Sequence, residues 1–294
     1  MRRSVLLVVL AALAVAGCEA APGLVTPYLN DSAHGKGLVI VLPGVEGRSS
    51  FNEAICEGLA DGGVTWAIDL ADWTTQARMN YLVNLRDEPR NRLQAQAIAD
   101  DIMRYRMSYP AAPIVLVGQS SGGGMAIWVA EALPPTEQIE GIITLSPSLS
   151  PGYSLDSALA RTRRGIVNFY SERDWVILGV GTTLSGTMDG LHTSSAGRTG
   201  FEPPAAGSPS AELYARKLFQ IPWQPSMSDA GHSGLHLTSG ARAFVMAYVA
   251  PLVLRQPWDA ATIAKIIAAH APPTVPASVP AHLPPAGSAV RPGG

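Results

Sequence analysis

The chain has 294 residues, 47% of them hydrophobic, which is enough to bury one large core and sets a single principal domain as the expectation. Its formal net charge is −2, and no basic block lies beyond the first few residues, so nothing in the charge pattern points to nucleic acid as a partner. Only 2 cysteines are present, too few for a disulfide-stapled scaffold.

Taken from the amino terminus, Arg2 and Arg3 precede an apolar run from Val5 to Ala16, the pattern of a targeting segment over residues 1–17. The run is too short to span a bilayer comfortably. Val15-Ala16-Gly17-Cys18 follows at once and resembles the lipobox of bacterial lipoproteins, which implies a lipidated Cys18 as the first residue of the mature chain. The expected address is the cell envelope, with the protein tethered to a membrane through that lipid; simple secretion is the alternative. Removing Cys18 from the count leaves Cys56 alone, so no intramolecular disulfide is expected. Its setting from Asn52 to Leu59 looks helical, and burial as a small apolar residue is the expected fate.

Residues 18–36 read as a linker. Residues 37–44 form an apolar run stopped by Pro43 and Gly44, a buried strand. A loop through Val45, Glu46 and Gly47 leads to a helix opening near Ser49 or Ser50, with Glu53 three or four positions on for a capping box. The next strand covers 64–70, after Asp61-Gly62-Gly63; Asp69 and Asp72 at its end suit a pocket wall or a turn. A helix is expected from about Pro89 to Tyr109, with Ile98, Ile102, Tyr105 and Tyr109 on one face.

Residues 113–126 are the centre of the pattern. A β-rich apolar run ends at Gly118, a serine stands between small residues, and glycines release into an apolar stretch able to wind as a helix. Gly118-Gln119-Ser120-Ser121-Gly122 fits G-x-S-x-G. A serine in a sharp strand-to-helix turn needs neighbours without side chains two positions away, because backbone packs on backbone there. Such a turn would expose the Ser120 hydroxyl above the strand, with helix amides and the positive dipole end behind it. A serine that only caps the helix is the competing reading, as is a phosphate-cradling loop, although no G-x-x-x-x-G-K-[ST] is present.

Further strands are expected at 139–147 and 165–170, the second leading into Ser171-Glu172-Arg173-Asp174. Residues 178–209 are rich in Gly, Ser and Thr without clear period, and a connection that long suits a lid or pocket wall; it carries Asp189 and His192. A short helix and the last strand, 218–221, precede Gly231-His232-Ser233-Gly234-Leu235-His236, and a helix runs from near Thr238 or Ser239 to Leu254. Residues 255–270 are expected to add a helical extension. Residues 271–294, with seven prolines, are expected to be a disordered tail. Strands alternating with helices predict an α/β fold, a mostly parallel central sheet with helices on both faces and ligands at the strands' carboxyl ends.

Over residues 37–254 the order of nucleophile, acid and histidine resembles the α/β-hydrolase fold. The resemblance is carried by Gly118-Gln119-Ser120-Ser121-Gly122, by Pro43-Gly44-Val45 where many members have His-Gly-x, and by Asp174 one turn after a strand. It implies a serine hydrolase in which Ser120 is the nucleophile, Asp174 the orienting acid, and His232 or His236 the base. His232 is set ahead because Gly231-His232 resembles the family's Gly-His pair and leaves a loop of ordinary length; His236 lies almost against the last helix. The amide of Ser121 and that of Val45, with Glu46 as an alternative to the latter, would hold the oxyanion. This chemistry requires no metal or organic cofactor. The expected substrate is a small acyl compound, most simply a carboxylester, with thioesters and peptides open. A non-catalytic member of the fold, a surface lipoprotein that binds a ligand or partner, is the alternative.

Overall fold

A computed structural model describes residues 31–75, 80–174 and 186–270. The expected leader, Cys18, the first part of the linker, the proline-rich tail and part of the 178–209 connection lie outside the described residues. After a short helix α1 (Asp31–His34), six strands form one sheet: β1 (Leu38–Leu42), β2 (Ala67–Leu70), β3 (Ile114–Gln119), β4 (Ile139–Leu145), β5 (Thr162–Tyr170) and β6 (Leu218–Pro222). Their spatial order is β2-β1-β3-β4-β5-β6, and every neighbouring pair is parallel.

The sheet is covered on both faces, which is why its strands read as unbroken apolar runs. Successive side chains of a strand point to opposite faces, so each strand feeds two cores. Leu38, Ile40 and Leu42 of β1, with Ile114 and Leu116 of β3, pack with Ile98, Ile102, Met125 and Trp128 from α4 (Glu88–Ser108) and α5 (Ser121–Ala132). Val39, Val41, Val115 and Val117 face the other way, onto Ile55 and Leu59 of α2 (Ser50–Asp61) and Phe244, Tyr248 and Val249 of the last long helix. Cys56 lies in that second core, and burial pushes its thiol up to about 12.

Several boundaries differ from the sequence reading for local reasons. The capping partner of Ser49 is Asn52, whose Oδ1 accepts the Ser49 amide at 3.0 Å and whose Nδ2 reaches the Ser49 hydroxyl at 2.9 Å; Glu53 is instead paired with Arg48 at 3.1 Å. The connection ahead of α4 contains a helix, α3 (Tyr81–Arg86), and the two helices part at Asp87, whose side chain accepts the Arg90 amide. Asp72 is a turn former, taking the Arg48 and Thr74 amides. The last long helix, residues 242–254, holds a π-helical stretch at Val245–Val249 after a 3₁₀ turn at His236–Gly240. The described part of the 178–209 connection is strapped to the loop after β4: Met188, Ala196 and Gly197 donate to the Ser148, Leu149 and Pro147 carbonyls, and Asp189 takes the Ser150 amide and hydroxyl. No helix among the described residues is long and apolar enough to cross a membrane.

The chain lays down β1, moves outward to β2, then returns to β3 on the other side of β1. In a parallel sheet this reversal leaves a crevice at the carboxyl ends of the two central strands. Leu42 of β1 pairs with Gly118 of β3, so the Val45 loop and the Ser120 turn leave the sheet side by side.

Candidate active site

Ser120 stands between β3 and α5 with φ 56° and ψ −124°, one of two non-glycine residues with positive φ among the described residues. Such a conformation costs on the order of 1–3 kcal/mol and persists only where the surroundings impose it. Here the backbone is held from both sides: the Ser120 amide donates to the Leu145 carbonyl at 2.9 Å, while its carbonyl accepts from Gly123 at 3.0 Å and Ser148 at 3.1 Å. A Cβ on Gly118 would strike the backbone of Gly122, and one on Gly122 would strike the Leu42 and Pro43 carbonyls. The glycine spacing in the sequence is therefore a packing requirement between the turn and β1. The second such residue, Ser146 with φ 51°, ends β4 beside the turn and was not signalled by the sequence.

The loop after β1 is pinned. Trp73 Nε1 donates to the Pro43 carbonyl at 2.8 Å, Asn84 Nδ2 to the Val45 carbonyl at 2.8 Å, and the Gly47 amide to Gly44 at 3.1 Å. Among the described residues, no acceptor takes the amide of Val45 or that of Ser121. The Ser121 side chain is occupied by the Ser148 hydroxyl, 2.8 Å away.

The two candidate histidines have different surroundings. Asp174, 2% exposed in a turn closed by its own amide on the Ser171 carbonyl, places Oδ2 2.7 Å from Nδ1 of His236, itself 4% exposed. The His236 loop is tied to the serine turn through Gln119, the residue before Ser120, whose Nε2 donates to the His236 carbonyl and to Ser239 Oγ, each at 3.3 Å. His232 is bonded at Nδ1 to Thr238 Oγ1 at 3.0 Å, and its ring lies 4.7 Å from that of Phe244. Of the two rings, the one beside Asp174 is His236, although the sequence reading had set His232 ahead.

The electrostatics separate them further. Burial alone would push the His236 imidazole down, but the Asp174 carboxylate, through charge and hydrogen bond, and then Glu46 together hold it above its ordinary value. His232 has burial without a compensating anion, and its pKa falls to about 4. Glu46 sits in the loop after β1; burial raises its carboxyl, against the opposing pull of its own amide, of His236 and of Asn52, whose Nδ2 is 3.4 Å away.

No local signal in the sequence marks Gln119 or Ser239, and for Glu46 the sequence points only to the amide. Glu172 is exposed, and Asp189 is engaged by Ser150. No group of three or more His, Cys, Asp or Glu side chains among the described residues is arranged to hold a metal.

A six-stranded parallel sheet wrapped by helices, with a strained serine turn after a central strand, defines an α/β-hydrolase fold. No protein-family profile matches the chain, and no curated protein matches it in sequence. Similar solved structures include a dienelactone hydrolase from Anabaena variabilis, 20% identical, covering 73% of this chain and 84% of its own with a TM-score of 0.41. Aspergillus fumigatus lipase B is 14% identical, covers 85% of this chain and 60% of its own, and has a TM-score of 0.47. Esterase B from Lactobacillus rhamnosis is 12% identical, covering 81% and 89%, with a TM-score of 0.41.

Proposed function

We propose that the protein is a serine hydrolase that cleaves a small acyl substrate, most simply a carboxylester, through an acyl-enzyme. Ser120 attacks the carbonyl carbon, and His236 takes its proton and returns it to the leaving group. Asp174 holds the imidazole in the tautomer that leaves Nε2 as acceptor and stabilises the imidazolium that follows. The Ser121 and Val45 amides receive the oxyanion; removal of one such donor in a comparable site costs about 10²–10³ in rate. Water then attacks the acyl-enzyme with His236 again as base, releasing the acid and restoring Ser120.

The observation that carries the reading is the 2.7 Å bond between Asp174 and His236 in a loop that Gln119 ties to the strained Ser120 turn. A fluorophosphonate probe tests it: covalent labelling of the folded protein is expected, and none in Ser120→Ala. A folded wild-type chain that resists the probe would leave a ligand-binding role for the fold.

The same reading includes export and anchoring through a lipidated Cys18. Expression with a labelled fatty acid in a bacterial host is expected to tag the wild-type chain and to leave Cys18→Ser untagged and in the soluble fraction. Equal membrane partitioning of the two would sink the anchor.

A further inference from the structure

The carboxyl ends of the strands carry the serine turn. The opposite pole holds a cavity of about 650 Å³, open to solvent, lined by Glu140 near the start of β4, Arg163 and Arg164 near the start of β5, and Arg216 and Lys217 at the end of the helix Pro209–Lys217, immediately before β6. Trp258, after the last long helix, closes one wall.

Four cations thus face one cavity with one carboxylate among them. Glu140 is shared, accepting from Arg163 at 2.8 Å and from Arg164 at 3.0 Å, so it offsets one charge and satisfies one donor on each. Arg164 is fixed further by the Val253 and Arg255 carbonyls at 3.2 and 3.3 Å, all through Nη1, which leaves Nη2 among its donors. Lys217 is anchored by the carbonyls of Leu159, at 3.1 Å, and of Thr162, two of its three N–H bonds. Arg216 has the Glu212 carboxylate 3.8 Å away, a contact between side chains 66% and 77% exposed that contributes little. Even with Glu212 counted, positive charge is in excess by two. Burial pushes both Arg164 and Lys217 below their ordinary values, against the opposing pull of Glu140 on Arg164 and with the neighbouring Arg216 charge adding to the shift of Lys217.

We propose that this cavity is a binding site for a phosphate-class oxoanion, separate from the serine site and at the other end of the sheet. A tetrahedral anion presents several acceptor oxygens at once, which suits guanidinium and ammonium donors converging from the start of β5 and the end of the helix before β6. Free inorganic phosphate and the headgroup of an anionic phospholipid share this chemistry.

The test uses the full-length chain carrying Cys18→Ser, so that no lipid anchor intervenes. Its melting temperature and isothermal binding are measured in inorganic phosphate against chloride at equal ionic strength. Co-sedimentation is measured with phosphatidylcholine vesicles with and without phosphatidylglycerol. The comparison protein adds Arg163→Glu and Arg216→Glu, both at exposed positions outside the serine site, and a milder pair, Arg163→Gln and Arg216→Gln, guards against misfolding. A phosphate-specific rise in melting temperature, weakened at least tenfold in apparent affinity by the substitutions, with ester hydrolysis unchanged, is expected for a soluble ligand. Charge-dependent sedimentation with phosphatidylglycerol vesicles, lost in the same variants, identifies the headgroup as the source. Identical behaviour in phosphate and chloride without vesicle binding, or binding that survives the substitutions, overturns the proposal.

Discussion

His236 and His232 are four positions apart; burial pushes both imidazoles down, and only at His236 do neighbouring carboxylates outweigh it. One is buried against a carboxylate and is held above the ordinary imidazole value; the other is buried between the Thr238 hydroxyl and the Phe244 ring with no compensating anion, and falls to about 4. A raised base must lose its proton before it can take one from Ser120. In the proposed mechanism kcat/KM therefore rises with pH through a midpoint above about 6.5, the ordinary histidine value. Asp174→Asn is expected to lower kcat by roughly 10³–10⁴ and His236→Ala by at least as much, whereas His232→Asn stays within about tenfold of wild type. Steady-state kinetics on a small ester across pH decides it; loss of activity in the His232 variant equal to that in the His236 variant would reverse the assignment.

The element that makes the site possible is the β3–α5 turn pressed against the end of β1. Because a side chain at position 122 would meet the Leu42 and Pro43 carbonyls, the turn tolerates no Cβ there without moving away from the loop that carries Val45. Gly122→Ala is expected to lower kcat by about 10²-fold or more, since a shift of about 1 Å in catalytic geometry costs that much, and to reduce stability by roughly 1–3 kcal/mol through overpacking. Kinetics together with denaturant unfolding checks it, and an alanine accepted at full activity would show that the two loops need not touch. The strands around this turn were readable in advance because burial on both faces leaves continuous apolar runs. The helix Tyr81–Arg86 was not, since six residues make fewer than two turns and give no repeat to detect.

On the scale of the whole molecule, His232 couples the fold to pH. The unfolded chain binds a proton at that residue near pH 6.5 and the folded chain only near pH 4, so between those values the unfolded state holds more protons and stability falls as pH falls. The full difference corresponds to about 3 kcal/mol. His236 acts in the opposite sense: its raised value adds stability below about 6.5 that is lost as pH rises through its folded value. Denaturant unfolding of His232→Asn against wild type is expected to show a shallower loss of stability from pH 6.5 to 4; parallel curves would refute the coupling.

The sequence by itself determined the alternation of strands and helices, the serine turn and the aspartate after β5, because each is written in neighbouring residues. Apolar runs, glycines two positions from Ser120 and a turn after a strand are patterns contained in short stretches, although packing against β1 is what holds the turn in place. Only the tertiary structure decided which histidine meets Asp174, since that bond joins residues 62 apart and depends on how the last loop closes over β3. The same holds for Gln119, which reaches a carbonyl 117 residues away, and for the cationic cavity assembled from the starts of separate strands. Contacts of that range are set by chain packing, and no short stretch of sequence contains them.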